Sequence, residues 1–233
     1  MDILERMGKY SDLGSWAIWE SNNNNNLFTK EGDLNEEINF KTYIKELQPS
    51  NYVILAMNPG GIFDEEQAKK ATRKSSSNSR KWSNFHNNGK SRDYLLAAAI
   101  MDTKLKGSYM TDLFPFIGSD SKVIEKFVKN PNNNDIVRRI VEEFDKEMSC
   151  LLPDQNEVIL ICLGKNVESW AKKYLVQNVQ NFELQKKYEA YYFQHYSQSN
   201  CKNVSSNPDD SRYYPIVFRN QINTYRKKYR LDL

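Results

Sequence analysis

A chain of 233 residues with 39% hydrophobic and 12% aromatic side chains is too apolar to be disordered, and it has the size of one domain. A mean hydropathy of -0.76, with 27% charged residues and no apolar run near the roughly 18 residues of a spanning helix, excludes an integral helical membrane protein. The 33 basic and 30 acidic side chains leave a net charge of only +3, so a nucleic-acid partner has to be argued from local charge rather than from the sum.

The N-terminal stretch MDILERMGKYSD carries acids where a secretory signal has a basic region followed by an apolar one, which predicts a cytoplasmic protein. Cys150, Cys162 and Cys201 are odd in number, widely spaced and outside any C-x-x-C pattern. Neither a disulfide framework nor a zinc or iron–sulfur site is expected, and no metal or other cofactor is predicted. Asparagine runs at 22–26 and 132–134 read as polar surface loops.

In chain order, residues 4–20 and 37–47 space their apolar side chains as helices do. Asn51 to Met57 (NYVILAM) is a short apolar run that stops at Asn58, Pro59, Gly60 and Gly61, as a buried strand meeting a tight loop would. From Asp64 to Arg92 the chain turns polar and basic, with Lys69, Lys70, Arg73, Lys74, Arg80, Lys81, Lys90 and Arg92, and about 64–90 reads as a long mobile insertion with a helical start. A helix is predicted from Ser91, with Ser91 as N-cap and Asp93 in the first turn.

A second strand is predicted in GSYMTDLFPF from Gly107, followed by helices over 120–130 and 135–150 with PNNN as the break. Glu157 to Gly164 (EVILICLG) is the third strand, VESWAKKYL the next helix and Ala190 to His195 the fourth strand, and a helix over about Phe218 to Tyr229 closes the chain. Four buried strands with a helix between each pair predict one domain over 1–233, α/β in class. The expected architecture is a three-layer α/β/α sandwich around a four-stranded parallel sheet, with ligands bound outside the carboxyl ends of the strands.

Those strand ends carry a resemblance. AMNPGG at 56–61 resembles the first catalytic motif, G-x-N-P-G, of the mismatch-specific and related uracil-DNA glycosylases, with Ala56 in place of the first glycine. YMTDLFPF is similar to the strand that holds the base-reading residue, ILICLGKN to the third strand and its turn, and FQHYSQS to the second catalytic motif, H-P-S. No one of these is specific alone; their order at four strand ends carries the likeness.

The resemblance to the uracil-DNA glycosylase superfamily implies a DNA N-glycosylase. Asn58 would hold a water beneath C1′ of a flipped nucleotide, and His195 would donate to the leaving base carbonyl. Met57, Phe85 and Asp112 would surround the base, with Phe85 stacking on it. Pro59, Gly60, Gly61 and Ser197 would meet phosphate, joined by Lys69, Lys70, Arg73 and Lys74 of the insertion, which makes DNA the implied partner. Two residues depart from the pattern: Asp112 stands where uracil readers have Asn, and Tyr196 where the second motif has Pro.

Each position also has a plainer reading. Asn58-Pro59-Gly60 serves equally as a strand-ending turn, Asp112 as a turn cap, Phe85 and its neighbour Trp82 as core, and His86 as a loop residue. The basic run TYRKKYR at 224–230 reads more readily as a solvated helix face than as a phosphate contact. Two other functions therefore stand beside the glycosylase: a catalytically reduced relative that binds nucleic acid or a protein, and an enzyme acting on small nucleotides or nucleosides.

Overall fold

The computed structural model describes residues 1–23, 27–57, 81–86, 92–115, 121–177, 180, 182–197 and 212–233. Two short, nearly unbroken apolar runs and one alternating segment form the main strands, as a sheet covered on both faces requires. They are β2 (Tyr52–Ala56), β4 (Glu157–Leu163) and β5 (Lys187–Phe193). β3 (Tyr109–Asp112) joins them, and these four lie mutually parallel in the order β3-β2-β4-β5, with Ala56 beside Asp112, Leu55 beside Cys162 and Leu163 beside Phe193. All five residues of β2, the central strand, are buried.

A fifth strand, β1 (Ser15–Trp16), pairs antiparallel with β3, so the sheet is mixed and five-stranded rather than four-stranded and parallel. It falls where a helix over 4–20 is expected. That stretch forms only one helical turn, α1 (Ile3–Arg6), and a 3-10 turn at Gly8–Tyr10. The reason lies in its packing: Trp16 and Ile18 enter the apolar cluster on one face of the sheet, while Ala17 and Trp19 enter the cluster on the other. Such alternation is the period of a strand, not of a helix. Gly14 makes the entry possible, because a β-carbon there would collide with the Tyr109 hydroxyl. Residues 37–47 likewise hold only a 3-10 turn, Phe40–Tyr43.

Helices cover both faces. One cluster packs Val53 and Leu55 of β2 against Val137, Ile140, Phe144 and Met148 of α4 (Asn134–Leu151), which follows α3 (Ser121–Lys129). The other packs Ile54, Met110 and Ile161 against α2 (Asp93–Ile100) and against Phe218 and Ile222 of α6 (Tyr213–Tyr229). Helix α5 (Lys165–Ala171) follows β4 and runs into a π-turn at Lys172–Gln177. The closing helix begins five residues before the predicted Phe218, with Pro215 in its first turn, where a missing N–H costs nothing. The residue at the N-cap of α2 is Arg92, in a left-handed conformation with φ of 61° and no side-chain cap, rather than Ser91. No helix among the described residues is long and apolar enough to cross a membrane.

β5 is an edge strand, and α6 closes its outer side. The Tyr225 hydroxyl donates to the Tyr192 carbonyl at 2.7 Å, the Tyr214 hydroxyl to the Gln194 carbonyl at 2.8 Å, and the Gln194 N–H to the Gln221 side chain at 2.8 Å. These bonds occupy backbone groups that would otherwise template another strand.

Candidate functional site

The carboxyl end of the sheet is assembled by three pieces of chain. Beyond β3 the backbone continues along β2, with Leu113 N–H bonded to Ala56 O at 2.9 Å and Phe114 N–H to Met57 O at 2.8 Å. Ala56 and Asp112 thereby pair at adjacent strand ends, with Met57 next in the chain. Residues 81–86 then lie against the N-terminal segment: Ser15 donates to Trp82 O, the Trp19 indole to Phe85 O and the His86 ring to Trp16 O, at 2.8, 2.9 and 3.1 Å. This strapping brings Asn84 over the end of β3. Its amide nitrogen donates to Asp112 Oδ2 at 2.7 Å and to Leu13 O at 2.8 Å. Asp112, 1% exposed, is thus held as an acceptor in a dry environment.

The third piece is the turn after β5. His195 follows the strand by two residues, rather than ending it, and is half-buried. Its imidazole stacks on the Tyr196 ring with centroids 4.6 Å apart and planes 12° apart. Nδ1 accepts the Ser197 N–H at 2.9 Å, so in the neutral ring the proton sits on Nε2. Although part of the residue reaches solvent, desolvation of the ring pushes its pKa down to about 4, and the imidazole is neutral at pH 7. Gly164, with φ of 111°, bonds through its N–H to Phe193 O at 2.8 Å and faces the His195 β-carbon, and a side chain there would strain the turn.

Tyr196 is 7% exposed, and its hydroxyl donates to Asp93 Oδ1 at 2.7 Å. Burial pushes this phenol well above its usual range, and the charges of Asp93 and, more weakly, Asp112 push it further. Asp93, 3% exposed, occupies the first position of α2, where the helix dipole favours a carboxylate. The carboxyl end therefore gathers a neutral histidine presenting an Nε2–H, a phenol and two buried acids.

Of the residues singled out from the sequence, Met57, Asp112, His195 and Ser197 stand at this end. Phe85 is buried in the adjoining apolar cluster, 6% exposed, with a left-handed φ of 63° that costs about 1 kcal/mol in a residue with a β-carbon. Asn58, Pro59, Gly60 and Gly61, with Lys69, Lys70, Arg73 and Lys74 of the basic insertion, lie outside the described residues. His86 is a core residue rather than a loop residue, 1% exposed with its ring 5.4 Å from that of Trp19. The run at 224–230 lies toward the opposite end, since Asp232 just beyond it donates its N–H to the hydroxyl of Tyr52, the first residue of β2.

Sequence reasoning missed Asn84 and the pairing of Tyr196 with Asp93, because each contact joins segments far apart in the chain. Two cavities are lined by described residues, one of about 250 Å³ beside Phe40, Trp82 and His86 and one of about 470 Å³ beside Leu175, Phe182 and Tyr188. Neither includes Asp112 or His195, and the chemistry assembled at the carboxyl end outweighs their volume as a guide to function. Among the described residues no group of three His, Cys, Asp or Glu side chains is placed to hold a metal ion. No family model matches the chain, and no curated protein or solved structure matches it either.

Proposed function

We propose that this protein is a DNA N-glycosylase that hydrolyses the bond between deoxyribose C1′ and a damaged or modified base. The observation that carries the reading is the state of His195: a neutral imidazole at the carboxyl end of a parallel sheet, its proton fixed on Nε2 by the Ser197 N–H. Such a group suits a leaving base. As the C1′–N bond breaks, its electron pair moves onto the base and builds negative charge on a carbonyl oxygen, which an Nε2–H stabilises without a full positive charge having to be desolvated. Water then adds to the oxocarbenium-like sugar and releases its proton to solvent. Asn58, next in sequence to Met57, is the residue that would position that water.

In this reading Asp112 faces the base. As an acceptor held by Asn84, it suits a base edge that presents donors better than it suits the O4 of uracil. The burial of Asp112 against Asn84 also favours a second reading, in which the pocket is filled by its own side chains and the fold binds nucleic acid without cutting it. One experiment separates them. Labelled oligonucleotides carrying uracil, hypoxanthine, xanthine or mismatched thymine are treated with protein and then alkali, with free nucleosides as a parallel arm. Strand cleavage at one lesion, abolished in Asn58→Ala, is the expected result. Retention of the labelled strand without cleavage at any lesion would sink the glycosylase reading and leave the binding one, while release of base from nucleosides alone would move the activity to small molecules.

A further inference from the structure

We propose that Tyr196 and Asp93 form a positioning pair that holds the plane of the His195 ring and so keeps its Nδ1 aligned with the Ser197 N–H that sets the tautomer. The inference rests on the reading of His195 as the group that meets the leaving base; the pair itself is a statement about the ring. Three contacts act in series: the His195 imidazole lies flat on the Tyr196 ring, the Tyr196 hydroxyl is anchored on Asp93 Oδ1 at 2.7 Å, and Asp93 is fixed at the start of α2. Because Tyr196 and Asp93 are both buried, the bond between them is shielded from water and links two segments 103 residues apart.

The arrangement accounts for a departure that the sequence leaves unexplained. Where the resembling motif has a proline to stiffen the turn after its histidine, this chain has a tyrosine, and the stiffness is supplied from the side by a buried hydrogen bond and a ring stack. Without the anchor, the Tyr196 ring could swing away from the imidazole, which would then turn out of line with the Ser197 N–H. Tyr196 and Asp93 touch neither substrate nor reacting atoms in this scheme; they act through His195. The charged and titratable groups around the pair include Asp112, His195 and Tyr214, whose ring lies 6.1 Å from that of Tyr196.

The test uses the full chain labelled with [15N]histidine. The sequence contains two histidines, so two ring systems appear, and His195→Gln assigns them. In the native protein the His195 ring should show one tautomer, with Nε2 protonated. Tyr196→Phe keeps the aromatic stack and removes the anchor; the His195 nitrogens should then shift toward the averaged values of a ring exchanging between tautomers, while the His86 ring, buried on Trp16 O, keeps its native signals and reports an intact fold. Asp93→Asn retains an acceptor for the tyrosine hydroxyl and should preserve the native His195 spectrum. On a cleaved oligonucleotide, Tyr196→Phe should lower kcat about ten- to a hundredfold with little change in KM. Native His195 signals in Tyr196→Phe would overturn the inference, as would an Asp93→Asn spectrum as disturbed as that of Tyr196→Phe. The ring spectra decide this alone, whereas failure of the native protein to cleave any lesion counts against the glycosylase reading and leaves the pair standing.

Discussion

The two ends of the sheet each bury an acid, and the contrast between them separates structure from chemistry. At the amino end Asp145 of α4 accepts the Gln185 and Lys186 N–H groups at 2.7 and 3.1 Å and the Tyr188 hydroxyl at 2.7 Å. The Lys186 ammonium nearby caps the carbonyls of Leu152 and Gln155, just past the end of α4. Every one of these contacts ties α4 or the turn after it to the approach to β5. At the carboxyl end Asp93 and Asp112 are as deeply buried, yet they lie beside Tyr196, the phenol on which a neutral histidine stacks in the turn that leaves a strand. Burial of a carboxylate therefore carries no functional meaning by itself; the end of the sheet and the titratable neighbour do.

Several measurements break or sharpen this contrast. The largest effect is expected from Asp145→Ala, which strips three donors of their acceptor in a buried site and should cost about 4 kcal/mol of stability by urea denaturation, with cleavage per folded molecule unchanged. A loss below about 1 kcal/mol would show that the amino-end acid is not the clamp described.

Next in size is a pH effect of opposite origin. The pKa of His195 is lower folded, at about 4, than its ordinary value of 6.5, so the unfolded chain takes up a proton first as pH falls. The stability contributed by the neutral ring is fully present above pH 6.5 and is lost between 6.5 and about 4. Between pH 7 and 4.5 the native protein should lose about 2 kcal/mol more than His195→Gln. Equal losses in the two proteins would remove the claim that the ring is desolvated.

Smaller again is the change in base preference. Asp112→Asn replaces an acceptor-only group by one that can donate to uracil O4, and the Asn84 amide still finds an oxygen to donate to; uracil excision should rise about tenfold relative to the native protein. A fall in uracil excision would mean that Asp112 does not face the base. The gentlest probe compares charge at the two ends. Neutralising Lys69, Lys70, Arg73 and Lys74 should flatten the salt dependence of DNA binding by about one unit for each phosphate no longer neutralised. Neutralising Arg226, Lys227 and Lys228, which lie toward the amino end, should leave the slope as it is.

What is legible in the sequence follows from the range of the forces involved. Strands β2 and β4 are uninterrupted apolar runs, α3 and α4 have clean helical spacing, and Pro131 marks the break between them, so all four stand within a residue or two of their predicted places. These are local patterns. β1 is hidden because its two residues sit inside a stretch whose apolar side chains also fit a helix, and only the closure of two clusters on opposite faces settles the period. β5 begins three residues before its predicted start because Lys187 and Glu189, polar and exposed, alternate with the buried Tyr188 and Ala190, a period-two pattern rather than the unbroken apolar run that marks β2 and β4. At the candidate site Asp112 and His195 are legible as strand-end residues. Asn84 on Asp112 and Asp93 on Tyr196, separated by 28 and 103 residues, are products of the tertiary fold, and no local pattern encodes them.

The side chains that α6 lays along β5 have a consequence for the solution behaviour of the molecule. Tyr225 occupies the Tyr192 carbonyl on the outer flank of a seven-residue strand rich in tyrosine, and Tyr214 and Gln221 occupy the backbone of Gln194 just beyond its end, the kind of segment on which a foreign strand can add. A chain shortened before Tyr213 would lose that cover together with Tyr214, Phe218 and Ile222, which pack one face of the sheet. Its fate would be set by concentration rather than by temperature, through growth of intermolecular sheets from the uncovered flank.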